Sequence, residues 1–403
     1  MKILLYTSVP SIANTGGTER VFCEMSNALT TRGHTVYAVC NDFRPARPSY
    51  PLDDRVQFVN LDGSGHRERK PFIWKIFRPF RSIAPKMWNR YIRDPFDNKK
   101  IEPPLMRLIR EVQPDVVILY HVDDYFSMLR QPMLDVPVIL MHHYSAGDFT
   151  QSVNTREREI KINTCSHLQV LQRSFLPEIQ RLYHGKIYVI PNAVPQIEEK
   201  DLANLAVAKP QKIITMVSRL MPKKQQHMLI QAFGRLAKDY PEWKVEIYGS
   251  LDERRYPRKL KKMITSLGLT GRVELLGTTD RPLDVLRQAD IFAFPSNHPE
   301  GWGLALTEAM AVGLPCVGLK NTPSVNELIV DGVNGFLTDN TSEDFATKLK
   351  ILMEDCELRQ RMGAAGHEMM KRYAPEKIWE QWEKLIEKVV QGHSCQTPNN
   401  FVT

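Results

Sequence analysis

The chain has little that would mark it as secreted, membrane-spanning or nicotinamide-binding. Its six cysteines (Cys23, Cys40, Cys165, Cys316, Cys356, Cys395) are scattered without a C-x-x-C pair. Buried free thiols in a reducing compartment are therefore expected rather than a disulfide framework. No apolar run approaches the length of a membrane span. The amino-terminal M-K-I-L-L-Y-T-S-V-P has one lysine and an apolar stretch too short for a signal peptide, so it reads as a first strand of a cytoplasmic protein. G-x-G-x-x-G is missing, which leaves a nicotinamide cofactor poorly supported. Asp-x-Asp is missing too: Asp123 and Asp124 are adjacent, not spaced, and neither a metal nor a cofactor is expected. No short-period repeat or low-complexity tract appears.

What is present suits two domains, since 403 residues is long for one. An apolar content of 42% against 25% charged is that of a soluble globular protein, so packed cores are expected. The net charge of +8 is concentrated in one place. Between His66 and Arg93 stand Arg67, Arg69, Lys70, Lys75, Arg78, Arg81, Lys86, Arg90 and Arg93, opposed by Glu68 alone, so segment 66–93 carries the whole excess. Phe72, Trp74, Phe77, Phe80, Trp88 and Tyr91 are interleaved with them. That mixture suits the headgroup region of an anionic membrane. It equally suits a solvated loop whose aromatics tuck into the domain, and the pattern leaves both readings open. Nucleic acid is not expected as a partner, because no recognisable binding module accompanies the patch.

Strand-like and helix-like segments alternate in both halves, which implies parallel sheets covered on two faces. In the first half, strands are expected at 3–6, 35–39, 56–59, 115–119, 136–145, 163–165 and 186–190, with a helix around Gln169. The first strand leads to T-G-G-T-E-R and a helix, a turn at which Gly16 and Gly17 would let a phosphate approach the helix amides. V-P-V-I-L-M-H-H-Y-S reads as a β-branched strand running into His142 and His143. Residues at the carboxyl ends of parallel strands face the crevice where ligands bind. His121, after the preceding strand, is a weaker candidate. The polar stretch 196–211 reads as a linker, and the alternation restarts with a strand at 213–217.

The most informative stretch is 290–313, D-I-F-A-F-P-S-N-H-P-E-G-W-G-L-A-L-T-E-A-M-A-V-G. It reads as a buried strand, a loop, a turn at Gly301 and Gly303, and an apolar helix beginning near Leu304. Glu300 and Glu308 bracket the turn. Helix amides without internal partners favour a phosphate, and carboxylates nearby accept hydrogen bonds from hydroxyls, so a sugar nucleotide is the expected ligand. Earlier, S-R-L-M-P-K-K-Q follows the strand 213–217 directly. Arg219 offers a planar fork of donors and Lys224 a mobile point charge, which together suit two phosphates.

The Glu-x7-Glu pattern E-G-W-G-L-A-L-T-E resembles the signature of the family-four retaining glycosyltransferases. The P-N-A-V at 191–194, the D-G-V-N-G-F-L at 331–337 and Arg219, Leu220 and Lys224 are similar to that family as well. Ser218 and Gln225 stand where the family usually has glycine. The resemblance covers essentially the full length and is looser over 62–100. It implies an α/β chain of two Rossmann-like domains facing across a cleft, the GT-B architecture, with a carboxyl-terminal helix crossing back to the first domain. Its boundaries would be 1–205 completed by 375–390 for the acceptor-side domain, 206–374 for the nucleotide-sugar domain and a tail at 391–403.

The resemblance further implies transfer of a sugar, with retained anomeric configuration and without a metal, from a nucleotide-diphosphate sugar such as a UDP-sugar. The acceptor would be a saccharide or lipid-linked saccharide, as in lipopolysaccharide or polysaccharide synthesis. By the same carry-over, Arg219, Lys224, Glu300 and either His142 or His143 serve catalysis. Gly16, Gly17, Gly277, Thr278, Gly301, Trp302, Gly303, Leu304 and Glu308 hold the donor, Glu308 through the ribose. An epimerase or phosphorylase on the same scaffold, and a binding protein with a degenerate site, are the competing expectations.

Overall fold

A computed structural model describes residues 1–8, 12–13, 16–42, 44, 47–64, 87, 104–128, 135–207, 209–251, 255–297 and 300–394. The chain divides into two compact units, Met1–Pro191 with Ile378–Thr403, and Asn192–Lys377. The basic segment 66–93 lies outside the described residues except for Met87.

Among the described residues the first unit has seven parallel strands: β1 (Lys2–Thr7), β2 (Thr35–Cys40), β3 (Gln57–Asn60), β4 (Val116–Leu119), β5 (Val138–His142), β6 (His167–Val170) and β7 (Lys186–Val189). Their order is β3-β2-β1-β4-β5-β6-β7. In β1, every residue after Lys2 is buried, as befits a central strand covered on both faces. The chain leaves β1 towards β2 on one side, with Ile3 opposite Val36, and returns to β4 on the other, with Ile3 opposite Val116. The order therefore reverses between β1 and β4, and the crevice beyond their carboxyl ends is the expected ligand position. The unit's described residues up to Pro191 include the helices α1 (Gly17–Thr31), α2 (104–112), α3 (Val122–Met128), α4 (Ala146–Ser152), α5 (Arg156–Ile162) and α6 (Leu176–Ile179).

The second unit repeats the plan with six strands: β8 (Lys212–Val217), β9 (Trp243–Tyr248), β10 (Val273–Gly277), β11 (Ile291–Phe294), β12 (Cys316–Leu319) and β13 (Gly335–Thr338). Their order is β10-β9-β8-β11-β12-β13, so the reversal falls between β8 and β11. Around them run α7 (Gln226–Gly234), α8 (Arg255–Ser266), α9 (Pro282–Gln288), α10 (Leu304–Ala311), α11 (Pro323–Leu328), α12 (Ser342–Glu354) and α13 (Cys356–Met370). Phe233, Trp243 and Phe345 are fully buried in one apolar core with Ile214, Val245 and Leu349.

Two sequence expectations are corrected. Residues 163–165 form a turn after α5, not a strand, with the Asn163 amide donating to the carbonyls of Glu159 and Leu182. The strand is instead His167–Val170, where a helix was expected. Gln169 interrupts the apolar run there, yet it is fully buried and its amide donates to the Ile190 carbonyl. Its polarity hid the strand. The stretch expected as a linker also carries fixed contacts within the second unit: the Ala203 amide donates to the Val312 carbonyl and the Cys356 thiol to that of Leu205.

The last helix, α14 (Pro375–Ser394), runs beyond the expected end near residue 390. Trp382 and Ile386 are buried, and Glu383 pairs with His34 at 3.0 Å, so the helix is part of the first unit's packing. Among the described residues no helix is long and apolar enough to cross a membrane. Replacing Trp382, 2% exposed, by alanine should lower stability by about 3 kcal/mol or more, read as a shifted urea midpoint. An unchanged midpoint would mean that the helix does not hold the unit together.

Candidate active site

In the second unit the loop after β8 meets the loop after β11. Residues Pro222–Lys224 form one 3-10 turn, and Gln225 then adopts the left-handed conformation at φ 53° before α7 begins. The Asn297 amide donates to the Lys223 carbonyl at 3.2 Å, tying the two loops through their backbones. Lys224 Nζ forms an ion pair with Glu300 Oε1, and the Ser296 hydroxyl donates to the same oxygen at 2.5 Å. The Thr322 hydroxyl donates to the Ser296 carbonyl, fixing the serine. Lys224 also lies over the Phe294 ring at 5.9 Å. The side chains of Lys224 and Glu300 are only 12% and 13% exposed.

The neighbouring strand ends join this corner. The Ser218 amide donates to the Tyr248 carbonyl, and the Gly249 amide to the Gly277 carbonyl at 2.7 Å. Gly249 has no substitute: a Cβ there would stand 2.0 Å from the Ser218 carbonyl oxygen. Arg219 and Thr278 are exposed beside it. Gly303 takes φ +76° as the cap of α10, so only glycine is unstrained there. Gly301 and Leu304 are half-buried, and Glu308 is buried within α10. Trp302 is buried edge-on against Tyr373 at 5.0 Å, with its indole N–H unpartnered. Lys224, Glu300, the α10 turn and the β8–β10 ends thus cluster in one unit, beyond its reversal point.

Gly16, Gly17, His142 and His143 lie in the first unit. Gly16 caps α1 in extended conformation, and Gly17 is its first helical residue. A Cβ on Gly16 would meet the Glu19 carboxylate, the movable end of a flexible side chain. Tyr144, which follows the two histidines, hydrogen-bonds Thr18 in the first turn of α1 and stacks on His121 at 5.6 Å. His142 ends β5, and its Nε2 contacts the Ser145 carbonyl at 2.7 Å. His143 stacks on Tyr120 at 4.7 Å. The Nε2 atoms of His143 and His121 are buried without a partner. Among the described residues no group of His, Cys, Asp and Glu is placed to hold a metal ion.

Several contributors carried no signal in the sequence. Ser296 reads as an ordinary loop serine, and Asn340 lies 115 residues from the Gln225 amide it accepts from. Gln225 had only the missing glycine to mark it.

The three histidines are neutral near pH 7. Burial pulls His121 and His142 down to about 4, and His143 well below its ordinary value, with mutual repulsion adding to the effect on His121 and His143. The unfolded chain therefore takes up protons first as pH falls below the ordinary value of 6.5. Stability is full above that value and is lost on the way down to about 4. Each histidine should contribute a slope of up to about 1.4 kcal/mol per pH unit in that window. Urea unfolding at pH 7.0, 5.5 and 4.5 should show the loss, and His121→Gln should flatten it; a wild-type curve indifferent to pH would contradict the burial argument.

Two family models match consecutive parts of the chain: "Glycosyltransferase Family 4" at residues 15–196 and "Glycosyl transferases group 1" at residues 197–369. An uncharacterized glycosyltransferase of Haemophilus influenzae is 27% identical, with 94% of this chain and 98% of that protein aligned. Sucrose-phosphate synthase from Thermosynechococcus elongatus is similar in structure, with a TM-score of 0.77, 16% identity, and 97% of this chain and 99% of that chain covered. HepE of Anabaena, solved with UDP and glucose, has a TM-score of 0.69 at 19% identity, with 96% and 99% covered. The two parallel sheets and these full-length matches make the chain a member of the family-four, group 1 glycosyltransferases with the GT-B fold.

Proposed function

We propose that this glycosyltransferase moves a sugar from a UDP-sugar to a saccharide or lipid-linked saccharide, with retention and without a metal, at the cytoplasmic face of a membrane. The observation that carries the reading is the Lys224–Glu300 pair at the reversal point of the second sheet. UDP is favoured because HepE was solved with UDP and glucose. Lys224, Arg219 and the α10 amides would neutralise charge growing on the β-phosphate, which gives the leaving group what a divalent cation would otherwise supply. Glu300 would then accept hydrogen bonds from donor-sugar hydroxyls and Glu308 from the ribose, with Gly277 and Thr278 beside the base. Gly301, Trp302, Gly303 and Leu304 would form the wall against which the diphosphate lies.

In this scheme the bond from the anomeric carbon to the β-phosphate oxygen breaks as the acceptor oxygen bonds on the same face. The acceptor proton passes to the departing phosphate, so neither glutamate is needed as a base. Of the two rival histidines, His143 is favoured for the donor sugar, since its Nε2 is unpartnered while that of His142 meets Ser145. A neutral imidazole suits that role. Gly16 and Gly17 would border the acceptor and the diphosphate.

Lys224→Met should lower kcat by roughly 10² to 10³, as loss of one preorganised transition-state donor does. Proton NMR of the first product should show the donor's anomeric configuration, at an unchanged rate in EDTA. Inversion, or nucleotide-sugar epimerisation without release of UDP, would replace the proposal.

The lipid-linked acceptor has its own support. Arg255, Arg258, Lys259 and Lys262 line one exposed stripe of α8, opposite its buried Tyr256, Leu260 and Ile264, and the helix has no acidic residue. With segment 66–93 it favours an anionic surface. Vesicles containing phosphatidylglycerol should co-sediment the protein, and neutralising the α8 stripe or the 66–93 cations should each weaken binding at least tenfold. Equal binding to purely zwitterionic vesicles would remove the anionic surface from the account, and no binding to either kind of vesicle would remove the membrane.

A further inference from the structure

Glycine is the residue a chain ordinarily uses where φ must be positive, yet the left-handed residue at the end of the β8–α7 loop is Gln225. A non-glycine residue there costs free energy, so its side chain must return something. Gln225 is buried, and its amide nitrogen donates to two acceptors from distant segments: the Pro295 carbonyl at 3.0 Å, directly after β11, and Asn340 Oδ1 at 2.8 Å, after β13. The next residue, the fully buried Gln226, reaches the other way. Its amide donates to the Ser218 hydroxyl and to the Arg219 carbonyl, both at 2.9 Å. The two positions that depart from the family's glycines, Ser218 and Gln225, are thus the two that the paired amides use. One amide fixes the entrance of the loop and the other its exit.

Between these fastenings lies Lys224, whose long side chain would otherwise sample many rotamers. We infer that the Gln225 amide, braced by Asn340, is a positioning clamp that holds Lys224 against Glu300 before a nucleotide arrives. The diphosphate then meets a cation whose backbone is already in place, and little ordering remains to be done on binding. The inference rests on the donor-site reading of Lys224 given above. It adds that side-chain amides reaching to β11 and β13 reinforce the backbone bonds that shape the loop.

The test is a double-mutant cycle of Gln225→Gly and Asn340→Ala, read by calorimetric titration with UDP and with uridine, by melting temperature, and by donor kcat and KM. Gln225→Gly should melt below the wild-type temperature, because the two hydrogen bonds lost with the buried amide outweigh the left-handed strain that glycine relieves. It should also, while still folded, bind UDP about tenfold more weakly, raise donor KM and lower kcat, while uridine binding stays unchanged. Asn340→Ala should weaken UDP in the same direction by a smaller factor. The double variant should be no worse than Gln225→Gly alone, since both break one clamp. Wild-type UDP affinity in Gln225→Gly, or fully additive losses in the double variant, would overturn the clamp while leaving the donor site standing. A wild-type protein that binds no nucleoside diphosphate would remove the donor-site reading, and the clamp with it.

Discussion

Lys224 and Glu300 approach each other from the two strands, β8 and β11, on either side of the point where the second sheet reverses its order. Both are largely withdrawn from water, with the Phe294 ring on one side and the Ser296 hydroxyl on the other. Removing two charges from water costs more than their attraction commonly returns, and an apolar pair of similar volume would serve stability as well or better. Fold stability is therefore a weak reason for the pair. A ligand that takes over each partner is a stronger one: a phosphate offers the lysine a doubly charged acceptor, and a sugar hydroxyl offers the glutamate a donor. In the free protein each group satisfies the other and neither is left as an isolated buried charge.

The surrounding loops are organised so that this pair cannot drift. Ser296 is fixed by Thr322, Lys223 by Asn297, and Gln225 by Pro295 and Asn340, so contacts from β11, α11 and the exit of β13 all converge on one short turn. Gly249 and Gly303 supply what side chains cannot, a close backbone approach at one and a left-handed cap at the other. The first unit makes its corner differently. There, stacked aromatic and imidazole rings, Tyr120 on His143 and His121 on Tyr144, line the strand ends, and burial keeps the imidazoles neutral.

Much of this was legible in the sequence because it rests on short-range patterns. The strand 291–294, the turn at Gly303 and the helix from Leu304 follow from an apolar run, a glycine and a return of helical periodicity, and the structure places them as β11 and α10. The family's glutamate and basic motifs located the rest of that corner. What was not legible depends on long-range pairing. Strand β6 was missed because a buried glutamine broke its apolar run, and its justification is a carbonyl 21 residues away. The role of Asn340 is set by strand order alone. Gln225 was visible only as a departure from glycine; that it keeps glycine's conformation, and why it is held there, needed coordinates.

The central claim is that a cation positioned at the ends of β8 and β11 holds the second phosphate of a nucleotide. Comparing the affinities of UDP and UMP, in the wild type and in Lys224→Met, tests it most directly. The wild type should prefer UDP by roughly tenfold or more, as a charge-assisted contact provides, and the variant should lose that preference while its UMP affinity stays put. A variant that still favours UDP over UMP by the wild-type ratio would contradict the account.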